Sequence, residues 1–279
     1  MSEEKEMSFI DHLEELRWHV IRALIAVVVF AIVAFLNVKF VYGVLILGPS
    51  KADFWTYRML CRLSELTCVD TLPFEIQNRT VGGQFTMHMF ISAIIGLIMA
   101  FPYAFWEVWR FIKPGLYHEE RSVTRGATFF VTLLFALGIL FGYYVVTPLS
   151  LNFLANYQLD ESIKNQYDLS SYISTIATLT LGTGVLFQLP MVALILAKVG
   201  ILTPAFMREY RRHSIVVFLV VAAILTPSPD IISQILVAAP LMLLYEISIY
   251  IAAYVEKKKK ALAAAEAAAE GGTVPQLTD

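Results

Sequence analysis

Charge is what this chain has least of. Asp, Glu, Lys and Arg make up 16% of its 279 residues and nearly cancel, leaving a net charge of -2, whereas soluble domains carry roughly 25%. Such a balance points away from a nucleic-acid partner. The chain has two cysteines and five scattered histidines, with no H-E-x-x-H, so no metal motif is legible in it. Absent as well is any G-x-x-x-x-G-K-[ST] loop, which excludes a P-loop nucleotide site. Gly182-Thr183-Gly184 lies in an apolar run, outside the strand–turn–helix setting of a dinucleotide fingerprint, and reads as a point of close helix packing. No Ser/His/Asp set can be placed. No catalytic residue, metal or cofactor is therefore expected, and the chain does not read as an enzyme. The first 22 residues carry six acids and three bases. They lack the basic start and cleavage site of a signal peptide, so the first apolar run is expected to stay attached as an anchor.

Hydrophobic residues, by contrast, make up 58% of the chain, in long runs broken by short charged stretches. A bilayer-crossing helix needs roughly 20 mostly apolar residues. Six stretches fit or approach this: Val20 to Val38, Phe85 to Trp109, Ala127 to Val146, Ile173 to Ala197, Ser214 to Thr226, and Ile231 to Tyr254. The expected fold class is all-α, a polytopic membrane bundle of six transmembrane helices with the last two spans short. The fifth stretch spans only about 20 Å as a helix. It reads either as a short true span that thins the bilayer locally or as half of a re-entrant hairpin with the sixth. Residues 1–256 form the expected six-helix domain. Residues 257–279 form a tail, basic and then Ala/Glu- and Gly-rich, expected to be a frayed helix followed by disorder.

Lysine and arginine set the orientation. Arg110, Lys113, Arg121 and Arg125 lie between the second and third stretches. Lys198, Arg208, Arg211 and Arg212 lie between the fourth and fifth, and Lys257 to Lys260 follow the sixth. The alternating segments are poor in bases, apart from the long segment Lys39 to Gln84, which mixes five bases with four acids. Both termini are expected in the cytoplasm. Pro102, Pro148, Pro190 and Pro240 fall in or beside apolar runs. They either kink the helices into a cup or are simply tolerated there, as proline is in membrane helices.

Three polar runs stand out. In the first, Ser8 can cap a helix carrying Asp11, and Phe9, Leu13, Leu16 and Val20 share one face. Glu14 and Glu15 lie past the first turn, where a helix dipole explains them poorly; solvated acids remain an alternative. In the second, Lys113-Pro114-Gly115 breaks a helix between aromatics, and Glu119-Glu120-Arg121 follows. An ordinary cytoplasmic turn would look the same. The third is Leu225-Thr226-Pro227-Ser228-Pro229-Asp230-Ile231-Ile232-Ser233-Gln234, at the expected exterior turn between the last two stretches.

Together these runs carry a resemblance. His12-Leu13-Glu14-Glu15-Leu16-Arg17 fits H-L-x-E-L-R. Phe111, Pro114, Leu116, Glu120 and Arg121 fill F-x-x-P-x-L-x-x-x-E-[KR]. The third run fits L-T-P-x-P-D-x-x-S-Q. In this order they resemble the TatC family, the signal-peptide-binding subunit of the twin-arginine protein translocase. The resemblance implies a core receptor subunit in the bacterial inner membrane. It would bind twin-arginine signal peptides of folded precursors at its cytoplasmic face. It would assemble with single-span TatA/TatB-type subunits, on the lipid-facing surfaces of the last two spans, into a homo-oligomeric complex. Glu15 and Glu120 would take the two arginines, with Glu14, Arg17, Phe111 and Leu116 as neighbouring candidates and Asp230 at the exterior turn. The physics suits that role, because a guanidinium pairs bidentately with a carboxylate as an ammonium cannot.

The chain departs from the family pattern where many members carry Glu in the fourth span and this one has Gln188, expected to be structural or to line the cup. The first exterior segment is also long and holds Cys61 and Cys68, a candidate disulfide, with free or intermolecular thiols as the alternative. A continuous helix would set cysteines seven apart about 10.5 Å along its axis, and a disulfide needs Cα atoms within about 7 Å. Residues 62–67 must bend if the two are joined. The alternative function is a small-solute secondary transporter, for which neither an inverted repeat nor a charged midplane site is visible.

Overall fold

Helices follow the apolar runs because inside a bilayer a helix satisfies its own backbone groups. The structure, a computed structural model of the chain, describes residues 9–63, 68, 72–112, 124–160, 162–163, 165–226 and 231–270. Five helical segments are long and apolar enough to cross a membrane: Glu14–Leu36, Gly83–Phe111, Thr128–Asn156, Leu169–Ala197 and Ser233–Lys258. The fifth expected stretch forms α10, Arg211–Leu225, of 15 residues, about 22 Å long and shorter than a hydrocarbon core of about 30 Å.

The chain divides into two compact units, Met1–Val185 with Leu225–Ser228, and Leu186–Ile224 with Pro229–Asp279. In the first, α1 (Phe9–Leu36) pairs along its length with α4 (Gly83–Ile112). Gly96 permits the close approach. A Cβ there would lie 2.7 Å from the Val27 carbonyl oxygen and the Ala31 nitrogen. Pro102 sits inside α4 without ending it. The third stretch runs through α5 (Thr124–Phe141), a wider-wound turn at Gly142–Val146, and α6 (Thr147–Asn156). Pro148 stands where that wide turn joins α6, and the Tyr144 carbonyl, four residues before a nitrogen with no hydrogen, accepts from Thr56 instead.

The segment between α1 and α4 holds more structure than its mixed composition suggests. A short helix α2 (Val38–Phe40) leads into a wide turn at Val41–Ile46, and α3 (Trp55–Leu63) follows. Fully buried Tyr57 donates its hydroxyl to the Pro148 carbonyl at 2.8 Å. Thr56 donates to the Tyr144 carbonyl, and the Phe54 ring stacks on Tyr144 and meets Tyr143 edge-on. β1 (Glu75–Gln77) pairs in parallel with β2 (Gln166–Asp168), with Ile76 opposite Tyr167. This strand pair is an exception to the all-α expectation. The buried core beside it gathers Ala34, Val41, Ile46, Ile91, Leu151, Tyr172, Ile173 and Ile176.

The fourth expected stretch is two helices, α7 (Leu169–Leu186) and α8 (Leu189–Val199). Pro190 stands in the first turn of α8, so the chain breaks where the proline removes a donor. In the second unit, Gly200 closes α8 in the left-handed conformation, with φ 87°, which glycine adopts without a Cβ clash. Thr203 caps α9 (Pro204–Glu209) through the Phe206 amide. α11 (Ile231–Glu270) packs on α8 around Ala193, Ala197, Ile249 and Ala252. Tyr245 donates to the Met207 carbonyl at 2.8 Å, and Gln234 donates to the Leu219 carbonyl at 2.8 Å.

The expected tail from Lys257 continues α11 as helix as far as Glu270. Lys, Ala and Glu are strong helix formers, and Glu256 pairs with Lys260 one turn on.

Candidate functional site

The paired helices α1 and α4 bring the first two motif regions together. Glu14 and Arg17 face outward and pair with each other at 3.2 Å, one turn apart. The Arg17 guanidinium also lies over the Trp18 ring. Neither faces the contact with α4. Glu15 does: its carboxylate, 42% exposed, stands 4.0 Å from Nε2 of His19. His19 in turn is buried against α4, where its Nδ1 bonds the Glu107 carboxylate at 2.5 Å. The Phe111 ring flanks His19 with centroids 6.2 Å apart. Two of the sequence candidates, Glu15 and Phe111, therefore meet at one place, and His19 stands between them.

Glu107 is 1% exposed. Removing a carboxylate from water is costly unless donors replace the lost hydration. Here they do. Besides His19, the Tyr103 hydroxyl donates to it and the Arg22 guanidinium lies 3.9 Å away. Neither His19 nor Glu107 was among the residues singled out from the sequence. A signal did exist, since Glu107 is a lone acid within the apolar run of the second span, and such a residue marks a functional site by default. Its partner, 88 positions away in sequence, could not be read from one chain.

Glu120, Leu116 and Asp230 lie outside the described residues, as does most of the second motif's turn. Gln188 is half-buried at the start of α8, just ahead of Pro190. Cys61 closes the last turn of α3, and its sulfur is joined to that of Cys68, with Cα atoms 4.0 Å apart. A continuous helix would set the two about 10.5 Å apart along its axis, and their Cα atoms stand far closer than that. A further ion pair, Arg211 with Glu246 at 2.5 Å, ties α10 to α11. Among the described residues no group of three or more His, Cys, Asp or Glu could hold a metal ion.

Chemically, the α1–α4 contact presents the half-exposed Glu15 carboxylate beside the buried His19–Glu107 pair and the Phe111 ring. A carboxylate in that setting can pair with a cationic group. The sequence model of the family described as "Sec-independent protein translocase protein (TatC)" matches residues 11–240. The chain is 39% identical over 265 residues to the Sec-independent protein translocase protein TatC of Blattabacterium sp. subsp. Periplaneta americana, covering 92% of this chain and 99% of that protein. It is 32% identical over 257 residues to the TatC of Carboxydothermus hydrogenoformans, covering 92% and 97%. Its fold matches a crystal structure of the twin arginine translocase receptor TatC with a TM-score of 0.69 and 31% identity, over 88% of this chain and 99% of that one. With its motifs, its helical membrane architecture and these matches in agreement, the chain belongs to the TatC family of Sec-independent protein translocase proteins.

Proposed function

We propose that this chain is the core receptor of a twin-arginine export system, binding signal peptides at the α1–α4 cleft. The observation that carries the reading is the convergence of Glu15 with His19, Glu107 and Phe111. This is an acidic, aromatic-lined spot at the end of α4 from which the segment bearing Glu120 departs. Glu15 takes one arginine of the signal peptide and Glu120 the other, with Leu116 and Phe111 giving apolar support. Hydrogen bonds to charged groups contribute about 1.5–3 kcal/mol each. Two carboxylates thus separate twin-arginine from twin-lysine by several kcal/mol.

In this reading α10 is a short span and α11, expected short, is a full-length one, six spans in all, with both termini in the cytoplasm of a bacterium and the bundle in its inner membrane. Exposed Val216, Val217, Val220 and Ile224 on α10 support a lipid-facing surface on which single-span subunits dock. Several such complexes assemble around copies of this chain. The test is export in cells. Glu15→Gln and Glu120→Gln should each slow export of a twin-arginine precursor while the protein stays in the membrane at normal levels. The double variant should show coupling between the two sites. Export at the wild-type rate in the double variant would reject the assignment.

A further inference from the structure

Glu107 takes neither arginine in the scheme above, yet it is a carboxylate kept inside an apolar span. An ionised carboxylate can only accept hydrogen bonds. The groups around Glu107 are donors: the Tyr103 hydroxyl, the Arg22 guanidinium at 3.9 Å, and Nδ1 of His19 at 2.5 Å. The hydrogen of the last bond therefore sits on Nδ1. In the neutral ring this leaves Nε2 as a lone pair. That lone pair faces the Glu15 carboxylate across 4.0 Å. The gap is too long for a hydrogen bond, and with the ring in that neutral form neither atom has a hydrogen to give.

Two acceptors side by side, one charged and one neutral, call for a shared donor. A guanidinium presents five N–H groups in one plane and can serve both. An ammonium is a compact point charge that satisfies the carboxylate without needing the imidazole. Phe111 flanks the ring on the α4 side and limits its swing.

We propose that Nε2 of His19 is the second acceptor for the arginine that Glu15 takes, making His19 a specificity-determining residue. Glu107 is the positioning residue that fixes its tautomer. The inference rests on the reading of Glu15 as an arginine-binding carboxylate.

The test uses the full chain in nanodiscs and two synthetic peptides, one with Arg-Arg and one with Lys-Lys. His19→Asn keeps an N–H donor near the Nδ1 position for Glu107 and removes Nε2. Its affinity for the Arg-Arg peptide should fall about tenfold, the worth of one hydrogen bond to a charged group. Its affinity for the Lys-Lys peptide should change little. In the wild-type protein with nitrogen-15-labelled histidine, the His19 Nε2 resonance should lie in the lone-pair range. It should move on adding the Arg-Arg peptide and stay in place with Lys-Lys. An Nε2 that carries hydrogen in the free protein overturns the proposal without any variant. If Glu15→Gln loses the Arg-Arg preference and His19→Asn keeps it, the second acceptor is rejected and the Glu15 reading stands. If Glu15→Gln binds both peptides as wild type does, both fail.

Discussion

Replacing Gly96 with alanine probes what holds α1 against α4. A Cβ at Gly96 would lie 2.7 Å from the Val27 carbonyl oxygen and the Ala31 nitrogen, and 2.8 Å from the Ala31 Cβ. Two of these three atoms are backbone and cannot rotate away. To reach ordinary contact the helices must separate by roughly 0.7 Å at the crossing. Overpacking of this kind costs about 1–3 kcal/mol. Alanine returns about 0.8–1 kcal/mol of helix propensity over glycine, so the clash should win by up to about 2 kcal/mol. Gly43 is the control, because a Cβ there meets nothing within 4 Å. Gly43→Ala should leave stability unchanged or raise it by a few tenths of a kcal/mol up to about 1. Thermal unfolding of both variants in detergent micelles measures the difference. The His19–Glu107 contact lies on the same helix pair, eleven residues or about 16 Å along α4. Affinity for a twin-arginine peptide should fall with the melting temperature. A Gly96→Ala protein more stable than wild type by about 0.8–1 kcal/mol, the whole helix-propensity gain, would refute the close-approach argument.

Tyr57→Phe should destabilise the segment between α1 and α4 by about 0.5–1.5 kcal/mol, because it removes the hydroxyl that the Pro148 and Pro49 carbonyls share; limited proteolysis between α3 and α4 should then speed up. Burial and the neighbouring Tyr172 raise the Tyr57 hydroxyl above its ordinary range, so it stays a donor at any working pH. Asp168 is held below the usual carboxylate range, first by the Ser170 hydroxyl and then by the Ser170 and Arg79 amides against a smaller desolvation cost. Its folded value is the lower one. Its stabilisation is thus present above the unfolded value near about 3.9 and is lost as the pH falls through the folded one. Acid titration of the melting temperature should be shallower for Asp168→Asn than for wild type; identical curves would exclude the contribution. Thiol labelling of the unreduced, denatured protein should find no reactive cysteine, and two labelled thiols would reject the Cys61–Cys68 bridge.

Much of this architecture is legible in the sequence because the bilayer leaves few choices. Uninterrupted apolar runs such as Val20 to Val38 become helices, and the polar face ahead of that run extends the first helix back to Phe9. What was not legible depends on partners distant in sequence. Ala127 to Val146 reads as ending before Pro148, yet the helical path continues to Asn156, with a wide turn at Gly142–Val146 ahead of the proline and the Tyr144 carbonyl taken by Thr56. Pro190, in the same kind of position, opens α8 after a real break. Only local geometry separates the two cases. The pairing of Glu75–Gln77 with Gln166–Asp168 joins short segments with no strand periodicity to reveal them. At the site, Glu15 and Phe111 stood out through their motifs. His19 and Glu107 became visible only when α1 lay against α4.

The central claim is recognition of paired arginines by carboxylates drawn from two segments. The most direct measurement is the affinity of the purified chain in nanodiscs for a twin-arginine signal peptide and its twin-lysine counterpart, for wild type, Glu15→Gln and Glu120→Gln. The account predicts a wild-type preference for twin-arginine of at least about a hundredfold, the product of two charged hydrogen bonds. Each variant should lose about a tenfold share of it or more. Equal affinity of the wild-type chain for the two peptides would contradict it.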